Sequence, residues 1–199
     1  MEYPLFKNIK ILLASKSPRR RVLLKELGIK VEMVEPLHEH EDFPLHLRAH
    51  EIPVYLAAEK SKAFLKPQIA GEILLTADTI VWLNGEVIGK PDNRAQAFEM
   101  LKKLSGNMHE VFTGVCLTTY NNQVTFYDTA RVYFKELSNA EIDFYLDHFK
   151  PYDKAGSYGV QEWIGYIGID KIEGSYFNVM GLPIHKVYQE IAKLIKIQS

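Results

Sequence analysis

Apolar and polar positions alternate in two rhythms along the chain. Ile11-Leu12-Leu13-Ala14 is a short unbroken apolar run, as a strand buried on both faces supplies. Val22-Leu23-Leu24-Lys25-Glu26-Leu27, followed by Gly28, predicts a helix with its C-terminal stop. Residues 51–65 read as a helix with Pro53 near its start, and 93–104 as an amphipathic helix ended by Ser105-Gly106. Ser138 with Glu141 three residues on is a capping box opening a helix to about residue 149. The last helix carries Ile184, Val187, Tyr188, Ile191, Leu194 and Ile195 on one face.

Strands are expected on either side of Asn84-Gly85, a strong hairpin signal, and over 110–120 and 123–134 with a turn at Asn121-Asn122. The stretch "WIGYIGIDKIEGSYFNVM" reads as another hairpin turning at Glu173-Gly174, and 35–48, "EPLHEHEDFPLHLR", as a polar loop crowded with His and acid. These elements predict an α/β fold with a mixed, largely antiparallel sheet flanked by helices. No linker, repeat or low-complexity tract interrupts 1–199, so one domain is expected.

Composition narrows the class. The 199 residues are 47% apolar and 25% charged, with net charge −1. Such a balance gives no global attraction to nucleic acid or anionic lipid. No apolar run approaches the roughly 18 residues of a membrane span, and "MEYPLFKNIK" lacks the features of a secretion signal. Cys116 is the only cysteine, which excludes an intrachain disulfide and a cysteine-rich zinc site. A reducing cytoplasm is the expected setting.

"SKSPRRR", residues 15–21, is electrostatically odd. Ser17 is a suitable N-cap and Pro18 a suitable first residue, so Arg19, Arg20 and Arg21 fall in the first turn. Cations there oppose the helix dipole, each at about 0.3–1 kcal/mol. A helix N-terminus also offers unpaired N–H groups to an anion, and guanidinium groups grip phosphate in bidentate fashion. Ser15 or Ser17 can add a hydroxyl. The competing reading is a solvated basic patch. Neither a P-loop nor a dinucleotide fingerprint occurs anywhere in the chain.

Three further residues invite the same question. Leu56, Lys60 and Ala63 share a helix face, so the Lys60 ammonium either snorkels to water or meets an anion. Asp78, in "LLTADT", ends a buried strand and needs a hydrogen bond or a cation; a turn-forming or ion-paired role is the alternative. Lys90, in "GKP", sits in a constrained loop, where it is either functional or merely exposed. His109 and Cys116 read as structural.

In order, "ASKSPRR", "AAEKSKA", "ADTIV", "GKP", "LSGNMHEVFTG", "DKAGSYGVQ" and "GSYFNVMGLP" resemble the Maf-type nucleotide pyrophosphatases, first labelled septation inhibitors. The resemblance runs from about Ile11 to Pro183. It implies a fold like that of inosine triphosphate pyrophosphatases, a long curved sheet with two lobes around a cleft, and a homodimer. It implies hydrolysis of a nucleoside triphosphate to monophosphate and pyrophosphate with a divalent metal, Mg²⁺ or Mn²⁺. Asp78 matches the catalytic acid that activates water. Ser15, Arg19, Arg20, Lys60 and Lys90 match the triphosphate pocket. A second metal carboxylate falls in the 35–48 loop, at Glu41 with Glu39 competing; His38 and His40 there read as hydrated surface groups, not zinc ligands.

Within the family, "DKAG…Q" marks the branch acting on dTTP and UTP. Gln161, Thr79 and Arg19 match its base-specificity positions, and the Gln161 amide suits a thymine or uracil edge. Glu162-Trp163 depart from the small glycine-led run of many relatives. Arg21 lies outside the matched pattern and is expected in solvent. Three other functions stay open: a house-cleaning pyrophosphatase for modified pyrimidine nucleotides, a nucleotide-binding regulator of septation, and a nucleic-acid-binding module using the arginines.

Overall fold

The first apolar run forms β1, Lys10–Leu13. It lies parallel to β2, Lys30–Met33, with Ile11 opposite Val31, and parallel to β3, Glu72–Leu83, with Ile11 opposite Ile73. Parallel neighbours need a crossover. Helix α1, Pro18–Glu26, supplies the one from β1 to β2, and α2, Glu51–Lys62, lies between β2 and β3. This is a computed structural model, and it describes residues 3–35, 42–64 and 69–198, the side chains of 196–198 excepted.

After β3, Asn84 and Gly85 both take left-handed φ values, 52° and 88°, as a tight hairpin turn requires. The chain returns as β4, Glu86–Ile88, with Leu83 opposite Glu86. Helix α3, Arg94–Leu104, is capped by the Asn93 side chain, which accepts from Gln96 N–H. Strands β5, Met108–Thr118, and β6, Gln123–Phe134, are sheet neighbours joined by four residues, a connection only an antiparallel pair permits. In α4, Asn139–Phe149, the capping box of Ser138 and Glu141 is complete.

The expected second hairpin is absent, and this corrects the sequence reading. Residues 163–179 form a short helix α5, Trp163–Gly168, one strand β7, Ile169–Gly174, and a turn of helix α6, Tyr176–Val179. Gly165 packs so closely on the Val160 carbonyl that no side chain fits, which lets α5 fold back where spacing alone suggested a strand. Gly174 ends β7 instead of turning a hairpin, because Ser175 next to it caps α6 by accepting from Asn178 N–H. The partner of β7 is β6, with Ala130 opposite Gly174. The chain closes with α7, Ile184–Gln198.

The seven strands form a mixed sheet in the order β2-β1-β3-β5-β6-β7, with β4 on β3. By contacts the chain divides into two units, one of 1–78, 113–128 and 181–199, the other of 79–112 and 129–180. The first has a core of Ile11, Leu13, Leu24, Ile52, Leu56, Leu75, Leu117, Val187 and Ile191, all at most 4% exposed. Each such side chain contributes about 1.5–3 kcal/mol by leaving water. The second packs Leu101, Leu104, Val132, Ile142, Leu146 and Ile164. Among the described residues no helix is long and apolar enough to cross a membrane.

Candidate active site

Helix α2 is seated so that Lys60 has little freedom. Gly114 of β5 has no room for a Cβ beside the Pro53 carbonyl, which brings the start of α2 against the sheet. Further along, Thr76 Oγ1 donates to the Ala57 carbonyl at 2.6 Å, and the Ser61 and Thr118 hydroxyls lie 2.7 Å apart. These ties flank Lys60 in the helix. Its Nζ lies 2.5 Å from Asp78 Oδ1, with the two side chains 18% and 16% exposed. The costly acid lies within β3, not at a strand end as expected, because the strand runs on to Leu83; it has a cation there, and the lysine does not simply reach for bulk water.

The arginine turn is built from the other side. Ser17 occupies the N-cap of α1 but its side chain makes no capping bond, and Pro18 starts the helix as expected. Arg20 turns inward. Its Nε donates to the Gly181 carbonyl at 2.8 Å, and its Nη1 to the Ala77 carbonyl at 2.8 Å and to Ser15 Oγ at 3.2 Å. One guanidinium therefore ties the residue before Asp78, the buried Ser15 and the segment leading into α7. Burial pushes its pKa down to about 10; Asp78 opposes that shift and Arg19 adds to it. Arg21 is exposed.

Ser15, Arg19, Arg20, Lys60 and Asp78 thus all belong to the first unit. Thr79, Lys90 and Gln161 belong to the second. Thr79 directly follows Asp78 along β3 and, like it, is half-buried. Lys90 is exposed, and the carbonyl of Gly89 before it accepts from Gly156 N–H at 2.9 Å. Gly156 has φ 69°. The Gln161 carbonyl accepts from Tyr166 Oη at 2.8 Å, while its side-chain Oε1 is buried and has no hydrogen-bond partner among the described residues.

Glu41, its competitor Glu39, and His38 and His40 lie outside the described residues. Among the described residues no group of three or more His, Cys, Asp or Glu could hold a metal. Asp78 offers one hard carboxylate, which suits Mg²⁺ or Mn²⁺ only if the ion draws most ligands from phosphate oxygens and water.

Sequence reasoning missed the residues that hold the Gln161 segment. Tyr145, Lys154 and Glu162 form a hydrogen-bonded charged network there. The "DKAG" motif contains Lys154, and an acid eight residues later was the available signal. His109 and Cys116 are buried structural residues as expected; His109 Nε2 lies 2.8 Å from Tyr158 Oη.

Comparison with known proteins agrees with the motif order. Residues 10–194 match the family model described as Maf-like protein. A dTTP/UTP pyrophosphatase of Phocaeicola vulgatus is 55% identical over 93% of this chain and 96% of its own length. One of Bacteroides thetaiotaomicron is 52% identical over 92% of this chain and 95% of its own. Among solved structures, a HAM1 protein from Coxiella burnetii covers 63% of this chain and 73% of its own, at 13% identity and TM-score 0.41.

Proposed function

Because this chain belongs to the Maf-like protein family, we propose that it is an enzyme hydrolysing dTTP and UTP to the nucleoside monophosphate and pyrophosphate. The names of its relatives at about half identity over nearly the whole chain support that substrate choice. The observation that carries the reading is the gathering of Lys60 and Arg20 at Asp78 in the first unit. Lys60 lies on Asp78, while Arg20, with Arg19 beside it in sequence, has its charge disfavoured by burial. A polyphosphate bound there would favour these cations further, as Asp78 already does for Arg20.

The chemistry follows from the side chains. Asp78 takes the proton of the water that attacks the α-phosphorus, and the bond to the bridging oxygen breaks to release pyrophosphate. Negative charge grows on the leaving oxygens, and fixed cations lower that barrier. Lys60 and Arg19 face the phosphates, Lys90 adds a further cation, and Ser15 a hydroxyl. Arg20 keeps Ser15 and the middle of β3 in register and contributes its charge. Mg²⁺ or Mn²⁺, held by Asp78 and Glu41 with the phosphates, would neutralise charge on the triphosphate. Gln161, Thr79 and Arg19 select the base; the orphan Gln161 Oε1 is an acceptor suited to the ring N–H that thymine and uracil carry and cytosine lacks. A homodimer in the cytoplasm completes the proposal.

The test is pyrophosphate release from dTTP, UTP, CTP, GTP, ATP and ITP, with and without Mg²⁺ or Mn²⁺. Metal-dependent turnover preferring dTTP and UTP is expected. Preference for a purine would overturn the base assignment, and no turnover by folded protein would overturn the activity.

A further inference from the structure

The segment carrying Gln161 is braced by a network that none of the roles above uses. Tyr145 on α4 is fully buried, and its Oη donates to Glu162 Oε2. The same hydroxyl oxygen accepts from Gly159 N–H at 3.0 Å. Glu162 Oε1 takes the Lys154 ammonium at 3.1 Å, and Lys154 also reaches Asp153 Oδ1 at 2.7 Å. The Lys154 and Glu162 side chains are only 10% and 20% exposed. Burial and the Glu162 carboxylate push the Tyr145 phenol well above its ordinary range, so it remains a donor at working pH. A charged network this enclosed is rigid when complete and costly when one member is removed.

Glu162 closes the same segment through its backbone. Its N–H donates to the Gly159 carbonyl at 2.9 Å, and its own carbonyl accepts from Gly165 N–H at 2.9 Å. Gln161 is therefore enclosed: Gly159 is fixed through Tyr145, Glu162 through side chain and backbone, and the Gln161 carbonyl by Tyr166. What stays uncommitted is the buried Oε1. Gly159 fits the scheme. A Cβ there would stand 2.6 Å from Glu162 Cδ and 2.8 Å from Oε2. With the carboxylate anchored by Tyr145 and Lys154 it cannot swing aside, so Gly159 and Glu162 form a matched pair.

We infer that Glu162, acting with Tyr145 and Lys154, is a positioning residue that sets the Gln161 amide for pyrimidine selection without itself touching the base. The inference rests on the proposed base-selecting role of Gln161. It gives the Glu162 departure in the sequence a function: the carboxylate holds the reading residue instead of narrowing the pocket.

The experiment compares kcat/KM for dTTP and CTP in the wild type, Glu162→Ala, Glu162→Gln, Tyr145→Phe, Gly159→Ala and the double variant Gly159→Ala/Glu162→Ala, with Tm for each. Glu162→Ala is expected to lower the dTTP-over-CTP ratio about tenfold or more, the size of losing an outer partner that orients a contacting group. Amide hydrogen exchange across 159–162 should rise with it. Glu162→Gln, which still accepts from Tyr145, should recover most of the ratio. Gly159→Ala should cost Tm alone but add nothing to Glu162→Ala. A wild-type ratio near one overturns the Gln161 role and this inference together. A high wild-type ratio that Glu162→Ala leaves unchanged overturns this inference alone. Should Glu162→Ala not fold, Tyr145→Phe, which removes only the hydroxyl, carries the same test.

Discussion

Lys60 Nζ lies 2.5 Å from Asp78 Oδ1, so the proposed base and a proposed phosphate ligand are ion-paired to each other. A triphosphate competes for that ammonium and the carboxylate repels it. Asp78→Asn removes both the proton acceptor and the repulsion. We expect kcat for dTTP to fall by about 100-fold or more, the range for losing a general base, while KM stays level or drops. Steady-state kinetics decide the point; a raised KM with unchanged kcat would make Asp78 a binding residue.

Arg20 bridges three acceptors that a lysine cannot reach together, since only a planar fork matches the Gly181 and Ala77 carbonyls and Ser15 Oγ at once. Arg20→Lys is therefore expected to lose about 3 kcal/mol of stability, from two or more charged hydrogen bonds. Arg21→Lys, at an exposed position, should be silent. Urea unfolding of both variants makes the comparison.

Burial holds the His109 imidazole at a pKa of about 3, against 6.5 for the ordinary group. Above the ordinary value neither folded nor unfolded chain binds a proton there, and the full stability is present. As pH falls through it, the unfolded chain takes up a proton that the folded protein refuses until about 3. Stability therefore drops with acid, by up to about 1.4 kcal/mol per pH unit from this residue. His109→Gln should show a shallower acid loss in urea midpoints between about pH 6.5 and 4.5; parallel curves would contradict the neutral, buried histidine.

Gly156 links the Lys90 loop to the Gln161 segment through its N–H on the Gly89 carbonyl. Its φ of 69° disfavours any side chain, and a Cβ would stand 3.0 Å from Val81 Cγ2. Gly156→Ala is expected to cost about 1–2 kcal/mol and to raise KM for dTTP more than it lowers kcat, since the Lys90 loop loses its tie. Thermal melts and initial rates check both.

Much of this was legible in the residues because local physics and tertiary contacts agree there. The Asn84-Gly85 turn, the Ser138–Glu141 box and the apolar stripe of α7 each formed as spacing dictated. The stretch after Gln161 departs from the expected hairpin because its apolar residues are compatible with both periods, and the deciding contact, Gly165 on the Val160 carbonyl, is tertiary. Strand β2 gives little signal because "KVEM" is only four residues long and mostly exposed, so its polar–apolar alternation marks no buried face.

Among the site residues, Lys60 and Asp78 were each conspicuous alone, but their pairing depends on how α2 seats against β3 and β5. Arg20 looked like a phosphate ligand, and its three backbone and hydroxyl acceptors could not be foreseen, because Gly181 lies 161 residues away. Tyr145 carries no signal of its own in the sequence. Its hydroxyl matters only because the fold brings Gly159 and Glu162 to it.

The most direct test of the central claim is to run dTTP hydrolysis in heavy-oxygen water and locate the label by mass spectrometry. Water activated by Asp78 and attacking the α-phosphorus places the label in dTMP and leaves pyrophosphate unlabelled. Label in pyrophosphate, or release of single phosphates in its place, would mean attack at another phosphorus and would contradict the account.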